Sequence, residues 1–132
     1  MKTKRTSGQG LIEVLVGSLI LITLAWLGLD VATLVLAGTA NDGLAKSAAR
    51  AAANQMTKQG ASDAAQKCIN HFATSSIITK VGMIGDLQYQ DKKEVVIKTE
   101  MQVRPPASFP GFEVITFRAQ AVEPIGANPA DL

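Results

Sequence analysis

The distribution of apolar residues divides this chain into a short polar leader, one long apolar run and a mixed remainder. The run covers residues 14–37, and the only members that are not Ala, Val, Ile, Leu or Trp are Gly17, Ser18, Thr23, Gly28, Asp30 and Thr33. A helix of about 20 apolar residues crosses the ~30 Å hydrocarbon core of a bilayer. The run exceeds the ~7–15 residues of a secretory signal, and no small-residue cleavage site follows it directly. The pattern predicts a retained transmembrane helix, with its membrane part at about residues 11–37.

A buried core helix of a soluble protein is the alternative interpretation of this run. Only about 95 residues follow it, with few aromatic side chains. A remainder of that size would hardly cover a helix that is apolar on all sides. The transmembrane interpretation is therefore favoured.

The next segment is rich in alanine, the strongest helix former, so the first helix is predicted to continue to about residue 58. The Asn-Asp-Gly sequence at 41–43 is expected to kink or break it. Ser62 or Asp63 would cap a second helix over residues 62–77. The apolar stripe of that helix contains Ala65, Ile69 and Phe72.

Alternating apolar and polar residues predict strands in the C-terminal part of the chain. Residues 93–103 and 112–122 each alternate, a shorter strand is expected at 86–90, and residues 104–111 form a proline-rich loop. One face of the two longer strands would carry Val95, Ile97, Thr99, Met101 and Val103, and Ile115, Phe117, Ala119 and Ala121. Two such strands joined by a loop imply an antiparallel pair.

The predicted fold class is therefore α+β. Residues 9–60 would form a long N-terminal helix that includes the transmembrane segment. Residues 61–132 would form a small head with one helix and a short antiparallel β-sheet, ending in a tail from about residue 124.

The positions of the basic residues predict the orientation of the chain in the membrane. Lys2, Lys4 and Arg5 precede the apolar run and no basic residue follows until Lys46, so the N-terminus is predicted to be cytoplasmic and the head extracytoplasmic. The net charge of +2 is too small to indicate nucleic-acid binding. Three of the 13 basic residues lie in the leader, so a chain without it would carry 10 basic and 11 acidic residues.

No catalytic motif is evident: the sequence has no G-x-S-x-G, no H-E-x-x-H and no P-loop. Cys68 and His71 are the only cysteine and histidine, too few for a metal site, so no cofactor is expected. Cys68 is interpreted as a small packing residue, with an intermolecular disulfide as the alternative. We expect a protein that is not an enzyme.

The junction between leader and helix holds the candidate functional residues, Gly8-Gln9-Gly10-Leu11-Ile12-Glu13. A carboxylate in a membrane costs about 2.5–3.5 kcal/mol on insertion scales and is usually paired and functional. The positions three and four residues after Glu13 are Val16 and Gly17, so no cation lies on its own helix there. A partner from elsewhere, or a place at the headgroup level, is required.

This junction resembles the signal of type IV prepilins: a short basic leader ending in Gly, a Glu five residues later, and a long apolar helix. The resemblance implies that a prepilin peptidase cuts between Gly8 and Gln9. It also implies that the new amine of Gln9, often N-methylated in that family, pairs with Glu13 of a neighbouring subunit. The alternative interpretation is that Glu13 is an interfacial carboxylate on a signal-anchored protein.

One branch is the most similar, the TadE-like minor pseudopilins of tight-adherence (Flp, type IVb) pilus systems. Gly-Gln-Gly-Leu-Ile-Glu at 8–13, the alanine-rich continuation and the terminal sequence FRAQAVEP at 117–124 carry that resemblance. Gln9 and Gly10 stand where ordinary type IV pilins have Phe and Thr, and the disulfide loop of many larger pilins is absent. The implied function is a structural subunit that takes part in pilus assembly.

The resemblance further implies the partners: prepilin peptidase, other pilin or pseudopilin subunits, the inner-membrane assembly platform and membrane lipid. The location would be the inner membrane of a bacterium or archaeon, or the extracellular pilus. Two alternatives remain open. One is an uncleaved, signal-anchored periplasmic scaffold or binding protein; the other is a pseudopilin of a type II secretion or competence system.

Four further positions of the apolar helix are candidates for helix packing. Gly17 and Gly28 would permit close approach of another helix, although no GxxxG motif is present. Trp26 suits an interfacial or subunit-facing position. Asp30 would either contact a neighbouring helix in an assembled bundle or mark the outer membrane interface, and the second interpretation is favoured.

Overall fold

The computed structural model describes residues 7–90, 93–107, 111 and 113–126. In chain order the elements are α1 (Ser7–Ala53), α2 (Lys58–Asn70), β1 (Ile78–Met83), β2 (Gln88–Gln90), β3 (Glu94–Val103) and β4 (Ile115–Pro124). The α+β class and the antiparallel sheet predicted from the sequence are confirmed. Lys2, Lys4 and Arg5, the tail at 127–132, and residues 108–110 and Phe112 of the predicted loop and strand lie outside the described residues.

Helix α1 is one continuous helix of 47 residues, about 70 Å long at about 1.5 Å per residue. The Asn-Asp-Gly sequence at 41–43 does not break it, contrary to the expectation. The reason is tertiary: Asn41 is buried against the sheet, and its Oδ1 accepts a 2.9 Å hydrogen bond from Thr99 Oγ1. A residue that favours turns when exposed is held in the helix by this contact.

The second helix begins earlier and ends earlier than predicted. Its N-cap is Thr57, whose hydroxyl accepts a 3.1 Å hydrogen bond from the Gly60 amide, so neither Ser62 nor Asp63 caps it. It ends at Asn70 rather than at residue 77. Strand β1 begins at Ile78, directly after the predicted end of that helix, and the sequence pattern did not reveal it.

Strand β3 is the centre of the sheet. Strands β1 and β2 pair with successive parts of one edge of β3, and β4 pairs along the whole of the other edge, from Glu94 opposite Pro124 to Val103 opposite Ile115. All pairs are antiparallel. The predicted alternation is confirmed, because every second residue of β3 from Val95 to Val103 is buried.

The core of the head lies between the sheet, α2 and the outer half of α1, which comprises residues 30–53. On α1 it is a stripe with helical spacing that begins at Asp30 and continues through Leu34, Ala37, Asn41, Leu44, Ala45, Ala48, Ala49 and Ala52. Most of these side chains are alanines, which allow α1 to lie close to α2 and to the sheet. The outer half of α1 is therefore part of the head as well as the continuation of the apolar run.

Candidate functional site

Within the described residues, the inner half of α1, residues 8–29, contributes nothing to the core of the head. Every residue of this half is exposed except Gly17, which is half-buried. The helix from Gly8 to Ala53 is long and apolar enough to cross a membrane, and a core helix of a soluble protein would be mostly buried instead. An exposed apolar helix near the N-terminus indicates a membrane anchor or a signal sequence.

The Gly8–Glu13 junction forms the first turns of this exposed segment. Gly8, Gln9 and Gly10 are all exposed, and a Cβ added at either glycine would meet nothing within 4 Å. Glycine costs about 1 kcal/mol relative to alanine within a helix, so two glycines beside Gln9 make this end of α1 easy to unwind. The backbone on either side of Gln9 is thus accessible and weakly held.

Glu13 stands among exposed apolar side chains one turn further along. Leu11, Ile12, Val14 and Val16 around it are all exposed. Within the part of the chain that the structure describes, no hydrogen bond or ion pair reaches its carboxylate. An exposed carboxylate on an otherwise apolar helix surface can accept a hydrogen bond from another molecule or bind a cation on it.

The candidate packing residues Gly17, Trp26 and Gly28 also lie on the exposed half. A Cβ added at Gly17 or Gly28 would meet nothing within 4 Å, and the indole of Trp26 is about half exposed. None of the three belongs to the core of the head. Their role in helix packing therefore stays a prediction about contacts outside this chain.

Asp30 makes a contact within the chain that neither sequence interpretation included. It is only 7% exposed and lies on the face of α1 that meets the head. Its Oδ1 accepts a 3.0 Å hydrogen bond from the backbone amide of Ala107, in the loop after β3. Asp30 thus fixes that loop to the helix at the point where the core stripe begins.

Sequence reasoning also missed Asn41 as a core residue. Asp30 and Asn41 are the polar members of the α1 stripe, and each is hydrogen-bonded to the head. Their spacing from Leu34, Ala37 and Leu44 is helical, so extending the 3.6-residue period beyond the apolar run would have placed both on one face.

Within the described residues, open depressions lie on the outer face of the sheet. They are lined by residues such as Lys80, Lys98, Glu100 and Arg118. In the described ranges no three His, Cys, Asp or Glu residues form a group that could hold a metal ion. Cys68 is half-buried beside the core, and His71 lies at the end of α2 with Nδ1 2.7 Å from the Lys67 carbonyl oxygen.

A long, exposed, apolar N-terminal helix whose outer half packs on a small α+β head defines a pilin-like architecture. No protein-family model, no characterised protein and no solved structure matches the chain.

Proposed function

We propose that the chain is a structural subunit and not an enzyme: a TadE-like minor pseudopilin that a prepilin peptidase processes and that takes part in the assembly of a tight-adherence pilus. Its location would be the inner membrane, with Gln9 as the N-terminus of the mature chain. The head would lie outside that membrane, where other subunits and the assembly platform are reached. The pilin-like architecture and the Gly8–Glu13 junction support this proposal.

The observation that carries the proposal is the position of Glu13. Its carboxylate is exposed among apolar side chains on a helix that projects beyond the head. Such a group is costly in a membrane unless a positive group neutralises it. Cleavage after Gly8 creates a positive group, the ammonium of Gln9, four residues before Glu13.

The ammonium of Gln9 on one subunit would pair with Glu13 on its neighbour. The apolar surfaces of the two helices would then pack in a register that this pair sets. A pair of charges in a low-dielectric environment is a better device for specificity than for net stability. The exposure of Gln9 and Glu13 on this chain is compatible with a partner on another one.

The N-terminal mass of the chain extracted from membranes tests the processing step. We expect a mature chain beginning at Gln9, and we expect Gly8→Val to leave the leader attached. Gly43→Val serves as the matched control, because Gly43 is also exposed in α1 but lies far from the junction. A leader that stays on the unmodified chain would favour the uncleaved, signal-anchored scaffold.

Glu13→Gln tests the pairing step, since it removes the charge and keeps the size of the side chain. We expect normal cleavage but a loss of incorporation into assemblies of at least tenfold, measured by crosslinking between subunits in the membrane. Glu113→Gln, at an exposed carboxylate of the head, should have no effect. Normal incorporation of the Glu13→Gln chain would contradict the pairing mechanism. Dependence of incorporation on a type II secretion platform, rather than a pilus platform, would favour the related pseudopilin function.

A further inference from the structure

On α1, the buried stripe that faces the head begins before the exposed apolar surface on the opposite face has ended. On the face toward the head, the polar and buried stripe begins at Asp30. On the opposite face the exposed apolar residues continue two turns further, through Val31 (54% exposed), Val35 (62%) and Leu36 (70%). The first exposed polar residue beyond them is Thr39. The part of the head nearest the N-terminal half of α1 therefore lies beside the last two turns of the exposed apolar surface.

The length of the exposed apolar surface can be compared with the thickness of a bilayer. From Val14, directly after Glu13, to Leu36 there are 23 residues, which span about 34 Å at about 1.5 Å per residue. A hydrocarbon core of ~30 Å then ends near Thr33, and the headgroup layer of roughly 5–7 Å lies above it. Asp30 and the loop fixed to it are at or just below that boundary.

In the part of the loop that the structure describes beside Asp30, residues 104–107, each backbone amide has an acceptor. The amide of Arg104 donates to the Ile77 carbonyl oxygen at 2.7 Å, and the amide of Ala107 donates to Asp30 at 3.0 Å. Pro105 and Pro106 between them have no N–H group. A segment at the edge of the hydrocarbon needs this property, because an unsatisfied amide is costly in a medium without water.

We propose that this end of the head lies at the boundary between the hydrocarbon and the lipid headgroup layer, and that Arg104 binds lipid phosphate in that layer. The proposal rests on the membrane anchoring proposed above. The guanidinium of Arg104 is exposed and, in the part of the chain that the structure describes, makes no ion pair. Arginine binds phosphate oxygens bidentately, and the exposed Val31, Val35 and Leu36 across the helix face the same layer. Asp30 acts as a positioning residue, because it holds the loop at this depth.

Lipid is favoured over a second copy of the chain as the occupant. The apolar surface is continuous with the membrane-spanning surface, so the same bilayer covers both without any additional partner. The guanidinium also matches a phosphate, whereas no exposed carboxylate occurs on the opposite face of α1 between Val31 and Thr39.

Depth-dependent fluorescence quenching tests the proposal on the full chain in vesicles of phosphatidylcholine with a fifth of phosphatidylglycerol. In a Cys68→Ser background, Pro106→Cys and Asn54→Cys carry the same fluorophore; Asn54 is exposed at the far end of α1. We expect a headgroup spin label to quench the fluorophore at 106 at least threefold more than the one at 54. Aqueous iodide should show the reverse order.

Trp26 provides an internal reference, because it is the only tryptophan and lies in the predicted span. If lipids brominated on their acyl chains fail to quench Trp26, the anchoring itself is wrong. If they quench it but positions 106 and 54 behave alike, the headgroup proposal alone is overturned. Shielding of 106 that disappears when the chain is diluted in lipid would assign the surface to a second copy and would also overturn it.

Two substitutions examine the named residues. Arg104→Gln should at least halve headgroup quenching at 106, while Arg118→Gln, at an exposed arginine on the sheet, should leave it unchanged. Asp30→Ala should expose 106 to iodide, and Asp30→Asn, which keeps an oxygen acceptor, should restore the protected behaviour. Equal quenching in the Arg104 and Arg118 variants would remove phosphate binding from the proposal. Equal iodide access in both Asp30 variants would remove the positioning role.

Discussion

At the scale of single residues, the contact between Asn41 and Thr99 fixes α1 on the sheet. Asn41 is 1% exposed, and Thr99 is fully buried on the inner face of β3. Their single hydrogen bond satisfies the oxygen of the amide, whereas Asn41 Nδ2 has no partner in the described part of the chain. A buried polar pair of this kind favours one alignment of helix and strand over a sliding apolar contact.

Thr99→Val removes the hydroxyl and nearly preserves the shape. We expect the free energy of unfolding to fall by about 1–3 kcal/mol, because Asn41 Oδ1 is then buried without a donor. Native-state hydrogen exchange of the β3 amides, on the chain in detergent, measures the change. Thr116→Val, at an exposed position on β4, should change exchange little. Unchanged exchange in the Thr99→Val variant would show that the hydrogen bond is dispensable.

At the scale of elements, alanine determines how close the two helices lie. Ala45, Ala48, Ala49 and Ala52 of α1 belong to the same buried cluster as Ala61 and Ala65 of α2. Side chains this small bring the helix axes together and leave no space for a longer residue. Alanine thus favours the helical conformation of α1 and also keeps long side chains off the surface of α1 that faces the head.

Ala48→Leu places three additional carbon atoms in this interface. We expect a loss of about 1–3 kcal/mol in the free energy of unfolding, because overpacking displaces α2 or the sheet from α1. Thermal unfolding of the detergent-solubilised chain, followed by circular dichroism, measures it. Ser47→Leu, one residue earlier on the exposed side, is the matched control and should lower stability by less than about 0.5 kcal/mol. A similar loss in both variants would argue against tight packing at Ala48.

At the scale of the whole molecule, the chain consists of a projecting apolar half-helix and a head that contains the other half. The core stripe starts at Asp30, and among the described residues the exposed segment from residue 8 to residue 29 contributes nothing to the core. The head should therefore be independent of the projecting segment for its own stability. The projecting segment is available for a membrane or for other helices.

A chain that begins at residue 29 should retain the folded head in mild detergent, because it keeps the whole α1 stripe. A chain that begins at residue 45 should not, because it loses Asp30, Leu34, Ala37, Asn41 and Leu44 from the core. Far-ultraviolet circular dichroism and amide exchange of the sheet distinguish the two outcomes. A folded chain from residue 45 would mean that the outer part of α1 only accompanies the head.

Local pattern was enough to predict much of this molecule. The apolar run, the alanine-rich continuation and the two alternating segments predict the long helix, the α+β class and the buried face of β3 correctly. The length of the apolar run, the helix propensity of alanine and the two-residue period of the strands are local properties of the chain. The Gly8–Glu13 junction is likewise a local motif, and its function stays a prediction.

The sequence by itself determined the long helix, the existence of a second helix, the alternating strands and their apolar faces, because propensity and periodicity are properties of neighbouring residues. Only the tertiary structure decided the hydrogen-bond partners of Asp30 and Asn41 and the presence of β1. Those features depend on hydrogen bonds and strand pairing between residues far apart in the chain, such as Asp30 with Ala107 and Asn41 with Thr99. Helical spacing indicates the face of α1 on which Asp30 and Asn41 lie, but it does not indicate the distant groups to which they bond.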